Sequence, residues 1–167
     1  YKICFEKLFN VADYFTINIS SPNTEGLRLL HEKEHLDILL EEIQKLNIEI
    51  SKSKSSSVKC IFLKIAPDLT EEMTEMIYNV SVKNNITGII ATNTTVERIN
   101  LKTAVSEQGG LSGKPLKPLS DSILKKLSRL NQNNELVLIG VGGIFNRADY
   151  EDKINSGALL IQVYTGF

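Results

Sequence analysis

The stretch CIFLKIAPDLTEEM, residues 60–73, joins an apolar strand pattern to the start of a helix and decides the fold class. Cys60–Ile65 is nearly continuous in apolar residues, which is typical of a strand buried on both faces of a parallel sheet. Thr70 is a favoured N-cap residue, and Glu71 and Glu72 place negative charge in the first helical turn. The stretch therefore predicts one β-to-α unit.

The same unit recurs along the chain. The predicted strands are Tyr14–Ile19, Val58–Ile65, Ile86–Ala91, Glu135–Gly140 and Ala158–Tyr164. Between them, apolar residues at three- and four-residue steps predict helices from Leu36 to Ile50, from Thr70 and from Ser120, and a short fourth helix is predicted from about Asn146 to Ser156, closed by Gly157. The strict order β-α-β-α-β-α-β-α-β favours an α/β parallel sheet, either doubly wound or closed as a barrel.

Composition bounds the function classes. The chain has 167 residues, the size of one domain, and its net charge of −1 gives no electrostatic argument for binding nucleic acid. No apolar run reaches the ~18 residues that a transmembrane helix needs. Cys4 and Cys60 are isolated, so we expect buried, reduced thiols and an intracellular compartment. Ser51–Ser57 (SKSKSSS) is predicted to be an exposed linker. The chain begins at Tyr1 rather than Met, and we expect it to be part of a longer protein.

Polar side chains and glycines follow every predicted strand on its carboxyl side. The groups are Asn18 to Asn23, Lys64, Thr92 to Thr94, Gly142-Gly143 and Tyr164-Thr165. Ligands bind at the carboxyl ends of the strands in barrels and in open α/β sheets alike. Five strand ends in a row therefore predict one binding site.

Two of these features indicate an anionic ligand. Gly142 and Gly143 would let backbone N–H groups approach a phosphate before a helix, although a tight β-to-α turn explains them equally well. Lys64 lies in a strand that looks central, where an ammonium group needs a partner. The alternative, a lysine reaching solvent at a sheet edge, is less favoured.

Two literal motif matches are rejected. His31 to His35 reads HEKEH, a zinc-protease pattern, but the chain has no third histidine and the motif lies among charges at the polar start of a helix. A solvated helix face is the better interpretation, and we expect no metal. Gly113-Lys114 does not form a phosphate-binding P-loop, because Pro115 follows the lysine and the glycine spacing fails.

Taken together, six blocks in the same order resemble the class 2, quinone-dependent dihydroorotate dehydrogenases. They are INISSPNTEGLR (17–28), LKIAPDLTEE (63–72), GIIATNTT (88–95), GGLSGKPL (109–116), GVGGI (140–144) and VYTGF (163–167). The resemblance implies a (β/α)₈ TIM barrel that binds FMN, with residues 1–167 forming strands 4–8 and their helices. It also implies oxidation of dihydroorotate to orotate in pyrimidine biosynthesis, with quinone as electron acceptor. The full-length protein is then expected peripherally on the bacterial cytoplasmic membrane or the mitochondrial inner membrane.

The resemblance also implies a role for each matching residue. Ser21 would be the catalytic base, because a serine at this position, rather than a cysteine, marks class 2. Substrate contacts would come from Asn18, Asn23, Asn93 and Thr94. FMN contacts would come from Asn18, Lys64, Thr92, Gly113, Gly142, Gly143, Tyr164 and Thr165.

The chain departs from the family at Glu25, where proline is usual, and lacks the family's amino-terminal strands and final helix. Five strands of eight cannot close a barrel, so we expect this chain alone to be inactive. Two other hypotheses stay open: a different phosphate-binding (β/α)₈ enzyme, and an inactive fragment of the dehydrogenase that serves only in assembly.

Overall fold

The computed structural model describes residues 1–21, 30, 32–98, 101 and 108–167, and these form alternating strands and helices. The strands are β1 (Tyr14–Asn18), β2 (Cys60–Ile65), β3 (Gly88–Ala91), β4 (Val137–Val141) and β5 (Leu160–Gln162). The helices are α1 (Lys2–Leu8), α2 (Lys33–Ser53), α3 (Glu71–Lys83), α4 (Lys117–Leu130) and α5 (Arg147–Asn155), with a 3₁₀ turn at Lys114–Leu116. None of these helices combines the length and the apolar character needed to cross a lipid bilayer.

All five strands are parallel, and their order in the sheet is their order in the chain, β1-β2-β3-β4-β5. In a doubly wound sheet, the order of the strands would reverse at a switch point. The sequential order is instead that of an arc of a (β/α)₈ barrel, so it decides between the two architectures that the sequence pattern left open.

Alternation along each strand gives the sheet two different faces. In β2, Ile61, Leu63 and Ile65 are fully buried against the helices, whereas Phe62 and Lys64 on the opposite face are only half-buried. The helix-covered face forms the main hydrophobic core, together with apolar residues of α2, α3 and α4. The opposite face of the sheet is here called the inner face. It carries the side chains that lie at the carboxyl ends of the strands.

Helix capping follows the sequence closely at two sites. The Thr70 hydroxyl accepts a hydrogen bond from the backbone N–H of Met73, which confirms it as the N-cap of α3. Asn146 caps α5 in the same way, through the N–H of Asp149, and Gly157 follows the helix with φ of 105°. The third predicted helix begins earlier than expected, at Lys117, because Pro118 fits its first turn.

Several sequence-based expectations were wrong. Helix α1 was not predicted; its Phe5 packs edge-on and tilted against Phe9 and Phe15, and this aromatic cluster holds the helix on the sheet. The predicted linker begins inside α2, where Ser51 is buried and its hydroxyl donates to the Asn47 carbonyl. Both cysteines are exposed rather than buried, because Cys4 lies on the outer side of α1 and Cys60 lies at the open start of β2.

Candidate functional site

The carboxyl ends of β2 to β5 surround a cleft of about 280 Å³. It is lined mainly by the residues that directly follow the strands and by the segment before α4. The lining residues are Lys64, Thr92, Asn93, Thr94, Ser112, Gly113, Leu116, Val141, Gly142, Gly143, Ile144, Gln162, Val163, Tyr164, Thr165 and Gly166. Of the predicted site residues, the structure thus brings nine together, while Asn18 and Ser21 lie outside the lining and Asn23 lies outside the described residues.

Lys64 brings a positive charge to this cleft. It pairs in register with Asn18 of β1 and Ile90 of β3, so its strand is central, as predicted. Burial lowers the pKa of its ammonium group, and no carboxylate of the described residues offsets that effect. A half-buried cation without a protein counter-ion in this part of the chain suits an anionic ligand.

An amide–hydroxyl network occupies the end of β1. The Ser20 hydroxyl lies 2.8 Å from Asn18 Oδ1 and 3.0 Å from the Lys64 carbonyl oxygen, and it is almost completely buried. Asn93 Nδ2 donates to the Ser20 carbonyl (3.0 Å) and to its hydroxyl (3.1 Å). Asn18 therefore touches the cleft indirectly, through Ser20 and Asn93. Sequence reasoning missed Ser20, because nothing in the pair Ser20-Ser21 distinguishes the structural serine from its neighbour.

The segment after β3 is fixed at several points. The Thr92 N–H donates to the Val141 carbonyl (3.1 Å), and the Asn93 N–H donates to the Ile65 carbonyl (2.8 Å). Thr92 thereby joins the ends of β3 and β4, while Asn93 joins β3 to β2. The Asn93 side-chain oxygen accepts the Thr94 N–H at 2.9 Å, so the protein holds both ends of this amide while its oxygen keeps a second lone pair for a ligand. These bonds set the direction in which the Asn93 and Thr94 side chains meet the cleft.

The turn after β4 supplies backbone donors. Gly142 and Gly143 have φ of 113° and 72°, in the region that favours glycine. A Cβ on Gly143 would lie 2.4 Å from the Lys117 Cβ, so the chain packs against α4 too closely for any side chain. Within the part of the chain that the structure describes, the N–H groups of Gly142 and Gly143 have no protein acceptor. Such donors can serve an anion.

The opposite wall comes from the segment before α4 and from the residues after β5. Gly113 has φ of 78°, and Ser112 beside it lies 3.1 Å from the Thr165 hydroxyl, oxygen to oxygen. Tyr164 lines the cleft, with nine-tenths of its surface exposed. Ser112 was another residue that the sequence did not single out. Its hydroxyl, with that of Thr165, adds two polar groups to the wall.

The remaining predicted positions lie apart from the cleft. Ser21 is half-buried and directly follows the Asn18–Ser20–Asn93 network. In the rejected zinc motif, His35 Nδ1 lies 3.1 Å from Glu32 Oε2 on the exposed start of α2, and His31 falls outside the described residues. Among the described residues there is no group of three potential metal ligands.

This arrangement can be compared with known proteins. A family model described as dihydroorotate dehydrogenase matches residues 1–167. The chain belongs to the dihydroorotate dehydrogenase family. The fold agrees with this assignment, because a solved dihydroorotate dehydrogenase superimposes on nearly the whole of this chain.

Curated relatives and solved structures agree on the family. The dihydroorotate dehydrogenase (quinone) of Christiangramia forsetii is 45% identical over 168 residues, which cover 100% of this chain and 48% of that protein. The Shewanella woodyi protein of the same name is 44% identical over 169 residues, which cover 100% of this chain and 49% of that protein. The chain thus spans about half the length of the curated relatives it matches. A crystal structure of the Eimeria tenella enzyme in complex with ferulenol superimposes with a TM-score of 0.91 at 32% identity, over 99% of this chain and 47% of that one.

Proposed function

We propose that the protein containing this chain oxidises dihydroorotate to orotate, with FMN as cofactor and quinone as final electron acceptor. The observation that carries the proposal is the cleft at the strand ends. Among the described residues, the cleft contains the ammonium group of Lys64, which has no carboxylate partner, and the two unused backbone donors of Gly142 and Gly143. The fixed amides of Asn18 and Asn93 lie beside these groups. Family membership supplies the reaction that such a site would perform.

The donor set fits a flavin mononucleotide. Its phosphate needs several N–H or hydroxyl donors, and the candidates are Gly142, Gly143 and Thr165. Lys64 would lie against the electron-rich ring, where a fixed cation stabilises added negative charge. The remaining contacts would come from Asn18, Thr92, Gly113 and Tyr164. When bound, FMN would supply the site that accepts hydride from C6 of the substrate.

The protein's own part of the reaction is to hold the substrate and to move one proton. Asn18, Asn23, Asn93 and Thr94 would hydrogen-bond the pyrimidine ring and its carboxylate, which fixes the face turned towards the cofactor. Ser21 would take the proton from C5. Because a serine hydroxyl is a weak base, Ser21 must pass that proton onward during the same step.

Partner and location follow from the same family. The curated relatives carry quinone in their names. We propose that the full-length protein is intracellular and meets quinone at a membrane surface, by peripheral association with the bacterial cytoplasmic membrane or the mitochondrial inner membrane.

Flavin absorbance tests the function. The purified full-length protein should be yellow, and dihydroorotate added without oxygen should bleach it. Ser21→Ala should keep the colour and lose bleaching by a factor of about 10²–10⁴. Ser53→Ala, at the exposed end of α2, is the matched control and should bleach at the normal rate. A colourless protein would refute the FMN proposal, and a fully active Ser21→Ala would favour a different phosphate-binding barrel enzyme.

A further inference from the structure

Lys153 of α5 is completely buried, and the proposed reaction gives it no role. Its ammonium nitrogen lies 2.6 Å from Asp121 Oδ1 and 2.6 Å from the Ser120 hydroxyl, both on α4. A lysine is almost never fully buried unless it is paired, because removing its charge from water is costly. A buried lysine so placed therefore holds specific groups in position.

The group beyond Ser120 is the last carbonyl of β4. The Ser120 hydroxyl accepts from Lys153 and donates to the Val141 carbonyl oxygen at 2.5 Å. The same oxygen accepts the N–H of Thr92, which lines the cleft. Val141 is followed directly by Gly142, so the Lys153–Ser120 chain fixes the point at which the glycine turn leaves the sheet.

The far end of the turn is held by the same ionic cluster. Asp149 Oδ2 accepts the N–H of Phe145 at 3.0 Å, and Asp149 Oδ1 lies 3.9 Å from the Lys117 nitrogen. Lys117 also pairs with Asp121 Oδ2 at 3.0 Å, which closes the connection back to Lys153. One network of buried and half-buried side chains thus holds both ends of the turn formed by residues 142–145.

We propose that Lys153, Ser120 and Asp121 are positioning residues that set the turn 142–145 in the geometry that binds the phosphate of the cofactor. The inference rests on the proposed function, since it assumes FMN at this turn. None of the three side chains lines the cleft, so they would act only through the backbone at Val141. Loss of the Ser120 hydroxyl should therefore weaken binding of the phosphate without touching the flavin ring.

The test compares FMN with riboflavin, which has the same ring system and no phosphate. Both are titrated into cofactor-free full-length protein, and flavin fluorescence gives each Kd. For Ser120→Ala we expect FMN to bind about 3- to 10-fold more weakly and riboflavin to bind unchanged. Lys153→Met, which leaves Ser120 able to donate to Val141, should shift the FMN Kd in the same direction by less.

Ser81→Ala is the matched control. Ser81 is also fully buried on a helix, and its hydroxyl also donates to a backbone carbonyl, that of Ile77 at 2.8 Å, but on α3 and away from the cleft. It should leave both Kd values unchanged.

Three results would overturn the inference. They are an unchanged FMN Kd in Ser120→Ala, an equal loss for FMN and riboflavin, or an equal loss in Ser81→Ala. Failure of the wild-type protein to bind FMN would instead refute the proposed cofactor, and this inference would fall with it. If Ser120→Ala does not fold, the Lys153→Met ratio of FMN to riboflavin decides alone.

Discussion

Changing the neighbouring residues Ser20 and Ser21 to alanine should affect different properties, namely stability for Ser20 and kcat for Ser21. The Ser20 hydroxyl is almost completely buried and forms contacts of 2.8 Å to Asn18 Oδ1 and 3.1 Å to Asn93 Nδ2. At about 1 kcal/mol for each net hydrogen bond, Ser20→Ala should lower the free energy of unfolding by about 1–2 kcal/mol. Ser21→Ala, which removes the proposed base, should instead lower kcat by about 10²–10⁴.

Two measurements separate these effects. Urea denaturation gives the change in stability, and steady-state turnover of dihydroorotate gives kcat and KM. Ser20→Ala should raise KM by about 10-fold, because it releases Asn18 and Asn93 from their fixed orientation while the base is still present. Ser51→Ala removes another buried serine hydroxyl, one that donates only to the carbonyl four residues before it; it should leave kcat and KM unchanged and lower the free energy of unfolding by less than Ser20→Ala does.

The reasoning would be refuted by either of two results. If Ser20→Ala abolished kcat and left stability intact, then Ser20 rather than Ser21 would be the base. If Ser21→Ala lowered stability as much as Ser20→Ala did while kcat stayed normal, the serine mechanism itself would be wrong.

Three further substitutions test two residues of the cleft and the N-cap of α3. Gly143→Ala places a Cβ 2.4 Å from the Lys117 Cβ at φ of 72° and should cost about 2–4 kcal/mol in urea denaturation; a cost below about 1 kcal/mol would contradict this close packing. Lys64→Met should raise the Tm of the cofactor-free protein at pH 7. Burial lowers the pKa of Lys64, so the wild-type penalty is fully present below that lowered pKa, and it fades, and the gain shrinks, as the pH rises from there to the usual lysine value; a constant gain would disprove the electrostatic cause. Thr70→Ala removes the N-cap of α3 and should cost about 1 kcal/mol, and an unchanged Tm would show that the cap contributes nothing.

The sequence predicted well wherever a local pattern had one physical cause. Thr70 and Asn146 cap their helices because short polar side chains satisfy the free N–H groups there; the Thr70 cap was predicted, and a helix was predicted to begin at Asn146. Apolar strands between helices predicted the parallel sheet. Whether that sheet was doubly wound or an arc of a barrel depended on strand order, which no local pattern records.

The residues that were missed depend on contacts between distant parts of the chain. Ser20 looks like Ser21 until Asn93, 73 positions later, donates to it. Lys153 looks like a surface lysine, because α5 carries charged residues on most of its sides, and only Asp121 and Ser120 of the preceding helix explain its burial. Such pairings follow from the packing of α4 against α5, which the sequence pattern of neither helix specifies.

The site ultimately depends on the register of the sheet. Asn18 stands opposite Lys64, and Lys64 stands opposite Ile90, so the amide and the ammonium share the inner face at the same height. Because side chains alternate with a period of two, a slip of one residue in β2 would turn Lys64 into the helix-covered core and Ile65 into the cleft. That slip would bury a charge among apolar side chains, which is far more costly than the native pairing. The register that keeps the core face of β2 apolar therefore also places the charge of Lys64 in the cleft. The most stable register is thus also the one that the proposed binding site requires.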